Sequence, residues 1–206
     1  MVKQFSKSEI ILLDDGSKTL SIQNKFIENG KGNNIFTFYD LTPLNGQVVY
    51  KNEYSRVFDL LSDEFFINDK KVLFLGSKLS EVGIINESYY LSLIKQISEY
   101  YSGNKILYVP HRGERKEKVN KISRMLNIKV LNVDYPIELF GLYNNELPFK
   151  VSSFYSTALL TMKEIYKIEA DAFVFDYNNS EHKDAIKETY DYYKDKLNMI
   201  NFSKHD

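Results

Sequence analysis

A chain of 206 residues is long enough to bury a real core, as one large domain or one domain plus part of another. With Lys+Arg 27 against Asp+Glu 28, its formal net charge is −1. No general field therefore pulls it onto nucleic acid or anionic lipid. The absence of cysteine excludes thiol catalysis, thiolate metal sites and disulfides, and fits a reducing compartment.

The opening MVKQFSKSEIILLDDG is too short in apolar residues and too polar for a signal peptide or a membrane span, so the reading is a soluble, cytoplasmic protein. Residues 9–13 (EIILL) form a short buried strand stopped at Asp14-Asp15-Gly16. Residues 17–23 are expected to return as a second strand, and the Gly- and Asn-rich residues 29–34 to form a loop. Residues 35–39 and 47–50 are short strand candidates split by Pro43 and the turn pair Asn45-Gly46, while residues 56–61 read either way.

From about residue 68 the pattern becomes regular. Strand 71–75 (KVLFL) ends in Gly76-Ser77. A helix comes next, with Ser88 as its expected cap and Tyr90, Leu93, Ile94, Ile97 and Tyr101 on one face. Gly103-Asn104 ends it before strand 105–109. A helix over 114–126 turns Val119, Ile122 and Leu126 inward. Strand 129–133 leads to Tyr135-Pro136 and a short helix over 137–142. A brief strand 150–152, a helix 156–166, a strand 171–177 and a final helix 182–197 complete the chain. Strands alternating with amphipathic helices imply an α/β fold with a doubly wound, mostly parallel Rossmann-like sheet. The expected division is a β-containing segment over 1–67 and a nucleotide-binding domain over 68–206.

Candidate chemistry gathers where strands end. Pro110-His111-Arg112-Gly113 sits between a strand and a helix, where an imidazole and a guanidinium suit a phosphate; a turn histidine beside a solvated arginine is the competing reading. Residues 152–157 (SSFYST) precede a helix, so Ser156 and Thr157 could donate to phosphate oxygens or serve as an ordinary cap. Glu138 stands just after a proline at a short helix start, suited to ribose hydroxyls or simply to the helix dipole. Asp14 and Asp15 form an acidic pair at a strand end, either a base with a raised pKa or a turn. The three histidines (His111, His182, His205) lie far apart without a metal-ligand pattern. Dinucleotide, P-loop and hydrolase glycine motifs are absent. The basic run at Arg112, Arg115, Lys116, Lys118 and Lys121 is interrupted by Glu114 and Glu117, which favours a solvated helix face over a nucleic-acid patch.

Taken in order, Asp-Asp-Gly, FLGSKLSE (74–81), YVPHRGE (108–114), IEL (137–139) and SSFYSTALL (152–160) resemble the bacterial sialyltransferases and capsular polysialyltransferases. The likeness is strong over about 71–165 and thin before. It implies a two-domain fold of facing Rossmann-like halves (the GT-B type), CMP-sialic acid as donor, a surface glycan as acceptor (capsule or lipooligosaccharide), and no metal or other cofactor. By the same resemblance, His111 contacts the donor phosphate and assists the leaving CMP. Arg112, Gly76, Ser77, Ser156 and Thr157 join that donor site, Glu138 holds the ribose, and Asp14 or Asp15 is the base. Glu81 and Glu87 are reserve candidates for the base. The proline that comes after histidine in the family is Arg112 here. Family members carry roughly another hundred residues before the acidic motif, a domain's worth, so most of the acceptor half is expected to be lacking. That leaves a homo-oligomer or a separate complementary half among the expected partners, with peripheral placement at the inner membrane and no nucleic acid. The alternatives are a non-catalytic CMP-binding remnant and a glycosyltransferase using another sugar nucleotide.

Overall fold

The computed structural model describes residues 9–14, 16–61, 65–178 and 180–202. The chain divides into two compact units, Met1–Ser55 and Arg56–Asp206. The first holds a three-stranded parallel sheet in the order β1-β2-β3, formed by β1 (Ile11–Leu13), β2 (Asn34–Thr37) and β3 (Val49–Lys51). Between β1 and β2 runs α1 (Lys18–Asn29). The strand expected over 17–23 is therefore a helix, and the reason is topological: a parallel pair needs a crossover, usually helical. Thr19, Leu20 and Gln23 supply its buried face. Gly30, at φ 64°, closes it in a left-handed turn, with Gly30 N–H bonded to Ile27 O and Lys31 N–H to Phe26 O. The Gly-rich stretch that reads as a loop is thus also the helix stop signal.

In the second unit the strands are β4 (Phe66–Leu75), β5 (Lys105–Val109), β6 (Lys129–Val130), β7 (Glu146–Ser153), β8 (Glu169–Val174) and β9 (Asn198–Asn201). They form one parallel sheet in the order β6-β5-β4-β7-β8-β9. The helices are α2 (Ser55–Leu60), α3 (Glu87–Tyr100), α4 (Lys116–Leu126), α5 (Phe140–Tyr143), α6 (Ala158–Tyr166) and α7 (Lys183–Tyr193), with a 3-10 turn over Ile137–Leu139. Counted along this unit the strand order is that of a dinucleotide-binding Rossmann sheet, reversing between β4 and β7. The expected doubly wound α/β class is what the chain adopts.

Val72, Leu73, Phe74 and Leu75 are all buried, as a strand covered on both faces requires. Tyr90, Leu93, Ile94, Ile97 and Tyr101 are buried as their spacing predicts. The cap of α3 is Asn86 rather than Ser88: its side chain accepts from Tyr89 N–H at 2.8 Å. β4 begins earlier than its apolar run, reaching Phe66 through an irregularity between Asn68 and Val72. The last strand, β9, escapes sequence reasoning because NMIN carries no alternation to betray it. Among the described residues, no helix is long and apolar enough to cross a membrane.

Candidate functional site

β5, β4 and β7 lie side by side, so the segments that leave their carboxyl ends share one sheet edge. Leu75 pairs with Val109, and Phe74 with Ser152. Strands stand about 4.8 Å apart, which brings the β5 and β7 loops out roughly 10 Å from each other with the β4 loop between. Gly76 N–H donates to Val109 O at 2.8 Å, and Ser153 Oγ donates to Leu75 O at 2.7 Å, fixing the three ends to each other. Ligands of open α/β sheets bind at this reversal point.

His111 stands at the end of β5, half-buried. Its backbone N–H donates to Glu114 Oε2 at 2.7 Å, and its Nδ1 accepts from Gly113 N–H at 2.9 Å. With Nδ1 occupied as an acceptor, the neutral ring carries its proton on Nε2 and offers a donor there. Burial of the ring, together with the Lys78 and Arg112 charges, holds its pKa below the ordinary histidine value against the opposing pull of Glu114 and Glu81. His111 and Arg112 line a cleft of about 480 Å³ shared with Lys116, Asn120 and Asn132, at the carboxyl ends of β5 and β6.

Beneath this turn lies a buried lattice of charge that the sequence pattern conceals. The Lys118 side chain is 0 % exposed and lies 2.9 Å from Glu114 Oε1 and 2.9 Å from Glu81 Oε2. It also donates to Ser77 O at 3.2 Å and Ser80 Oγ at 3.3 Å, and sits 3.8 Å above the Tyr90 ring. Tyr108 OH donates to Glu114 Oε1 at 2.6 Å and lies 2.8 Å from Tyr90 OH, which accepts from Ser77 N–H at 3.1 Å. Gly76 is required by this packing: a Cβ there would come within 2.2 Å of Glu114 Oε2 and 2.6 Å of Tyr108 OH. Gly76 and Ser77 thus serve the lattice with their backbone. Of the basic run read as a solvated face, Arg115 and Lys121 are exposed and paired with Glu87, but Lys118 is not solvated at all. The signal was the i, i+4 spacing of Glu114, Lys118 and Ile122 on one helix face.

On the other side of β4, Ser156 Oγ accepts from Ala158 N–H at 3.3 Å, and Thr157 stands at the cap position of α6. Glu138 Oε1 accepts from Thr161 Oγ1 at 3.0 Å, and Tyr166 OH donates to Glu138 O at 2.7 Å. Thr161, one turn into α6, therefore fixes the carboxylate near the Ser156–Thr157 turn and leaves Oε2 without that bond. Sequence reasoning misses Thr161, which looks like an ordinary helix residue.

Glu81 and Glu87 are both committed to ion pairs. Burial pushes the Glu81 carboxyl up, but bonds from Lys118 and from the Arg115 N–H leave it below the usual range. The Lys121 hydrogen bond does the same for Glu87 against a smaller burial effect. Carboxyls held low are weak proton acceptors, so neither suits a general base. Asp14 belongs to the first unit. Its Oδ2 accepts from Phe38 N–H at 2.7 Å, while its buried Oδ1 has no hydrogen-bond partner among the described residues. Gly16 lies two residues on at φ 60°, the turn conformation that favours glycine in Asp-Asp-Gly. Asp15 lies outside the described residues. No group of three or more His, Asp or Glu side chains gathers into a metal-binding cluster among the described residues.

No curated protein matches this sequence. The family model described as alpha-2,8-polysialyltransferase (POLYST) matches residues 47–171, from just before β3 into β8. The matched stretch contains Gly76, His111, Glu138, Ser156 and Thr157, and it stops short of Asp14 on the N-terminal side. Since it takes in well over half of the sequence, the chain belongs to the alpha-2,8-polysialyltransferase family.

Proposed function

We propose that this chain binds CMP-sialic acid along the carboxyl edge of the β5-β4-β7 strands and transfers the sugar to a glycan hydroxyl with inversion. The observation that carries the reading is the placement of His111, its Nδ1 accepting from Gly113 N–H, on one side of the β4 end and the Ser156–Thr157 helix start on the other. A phosphate between them accepts from the imidazole N–H, from the hydroxyls and from the first N–H groups of α6. Arg112 adds charge from the β6 side, and Glu138, steadied by Thr161, takes the ribose hydroxyls.

In the reaction, the acceptor oxygen attacks the anomeric carbon as the bond from that carbon to the phosphate oxygen breaks. The bonding pair leaves with CMP, where waiting donors stabilise the charge. The acceptor's proton passes to Asp14 or Asp15, in keeping with the logic of inverting glycoside chemistry. Residues 68–206 are the donor-binding part in this reading, and residues 1–67 belong to the acceptor side. The family relationship supports a sialyl donor and a glycan acceptor; the CMP group, inversion and cytoplasmic action are our inference. The test is thermal stability of the chain with CMP, UDP and GDP. CMP alone is expected to raise the melting temperature, and His111→Ala to abolish the rise. A wild-type chain indifferent to CMP refutes the proposal.

A further inference from the structure

Around the buried lattice, cations are matched to carboxylates. Arg115 and Lys121 each lie 2.6 Å from Glu87, and Lys118 lies 2.9 Å from both Glu81 and Glu114. The side chains of Lys78 and Arg112, the two cations flanking His111, have no ion-pair or hydrogen-bond partner among the described residues. Lys78 is exposed, yet its stem is closely placed. Lys78 Cδ lies 3.1 Å, and His111 Nδ1 3.3 Å, from the one point where Gly113 would carry a Cβ. The side chain thus runs from the β4 loop across to Gly113 in the β5 loop, on the imidazole side of that turn. Cations gathered beside a histidine without a counter-ion are an unfavourable arrangement until an anion arrives.

The two differ in direction. Arg112 lines the cleft toward β6, among Val130 and Asn132, whereas Lys78 has no part in that cleft and rises from the middle strand. A phosphate held between His111 and Ser156–Thr157 lies over that strand. In a sialyl donor, the carbon bearing the phosphate oxygen also bears a carboxylate, a second anion a few bonds away. Building on the donor site proposed above, we propose that Lys78 pairs with this sugar carboxylate and makes the site selective for nucleotide-linked keto-acid sugars. His111, Arg112, Ser156 and Thr157 serve the phosphate, and Lys78 serves what the phosphate carries.

The test is calorimetric titration of the full chain with CMP and with CMP-3-fluoro-sialic acid, an unreactive donor analogue. Lys78→Met should leave CMP affinity within about twofold of wild type while weakening the analogue about tenfold, the low end for a lost charge-assisted hydrogen bond because the lysine is exposed. Lys78→Arg should recover most of that loss. Equal weakening of both ligands, or undiminished affinity for the analogue, overturns the assignment while leaving the donor site standing. A wild-type chain that binds neither ligand removes the donor site itself, and the Lys78 assignment with it.

Discussion

Replacing Lys118 by Met removes one charge and little volume, and the surroundings of the ammonium set the cost. The methionine chain can retrace the lysine stem as far as Cε, one atom short of the ammonium over Tyr90, so packing loss is minor. Glu114, whose side chain is 0 % exposed, loses its cation, and Glu81, at 10 %, keeps only Arg115 at 3.9 Å among the described residues. Removing one partner of a buried ion pair costs about 3–5 kcal/mol. Against a typical stability of about 5–15 kcal/mol, that is a severe loss, corresponding to a fall of roughly 10 °C or more in melting temperature at this chain length. Urea unfolding tracked by far-ultraviolet circular dichroism measures it directly, and adding Glu114→Gln in the Lys118→Met background should restore a substantial part by removing one orphaned charge. A loss below about 1 kcal/mol would mean that the lattice is solvated in practice and would refute the reasoning.

Other consequences concern the turn above the lattice. His111 should titrate below 6.5 by NMR; Glu114→Gln should lower its pKa further, and Lys78→Met should raise it, since the two charges act in opposite directions. Because its folded value lies below the unfolded one, protonation favours unfolding: this contribution to stability is complete above about pH 6.5 and is lost as pH falls through the folded value. Equal and same-signed shifts in the two variants would contradict the geometry. Gly76→Ala should destabilise by about 1–3 kcal/mol, the usual range for overpacking, because its Cβ would meet Glu114 Oε2 and Tyr108 OH. Gly113→Ala, with neighbours no nearer than the flexible Lys78 stem at 3.1 Å, should cost clearly less; a reversed ranking by thermal melt would sink that account.

How much of the molecule was legible depended on whether position in sequence implied position in space. β5 could be read to the residue because four strand formers after Lys105 sit between a Gly-Asn stop and a proline. His111, Ser156, Thr157 and Glu138 stood out as candidates because each comes just after a strand or opens a helix, the positions at which open α/β sheets bind ligands. The helical α1 was hidden because SKTLSIQ fits a period of two nearly as well as one of 3.6, and only the parallel pairing of β1 with β2 decides it. Lys118 was hidden for a different reason. A lysine in a charged run is ordinarily solvated, and its two acidic partners lie 4 and 37 residues away, from two separate loops. Lys78 looked equally plain until the fold laid its stem beside Gly113.

The buried carboxylate of Glu114 shows why the His-Arg-Gly-Glu turn is a unit rather than a histidine with neighbours. Oε2 takes the His111 N–H, a backbone donor that would otherwise go unbonded in a half-buried turn. Oε1 takes the Tyr108 hydroxyl and the Lys118 ammonium, linking the turn to β5 and α4. A leucine of similar size would remove the acceptor of all three at once, leaving the His111 N–H unbonded, Tyr108 OH with only Tyr90 OH, and Lys118 with Glu81 as its charged partner. A glutamine could still accept from the backbone but would leave Lys118 with only Glu81 as a charged partner. Gly76 must lack a side chain for this carboxylate to fit, and Gly113 leaves room for Lys78 beside the ring. The imidazole is therefore aimed by an acid three residues away and a glycine on the neighbouring strand's loop. Rescue of Glu114→Ala by Asp should accordingly be poor, because the shorter side chain cannot bond His111 N–H, Tyr108 OH and Lys118 together. In that variant, His111→Ala should add little further loss of CMP stabilisation, since the ring is already unaimed. Full additivity of the two losses would show that Glu114 and His111 act independently.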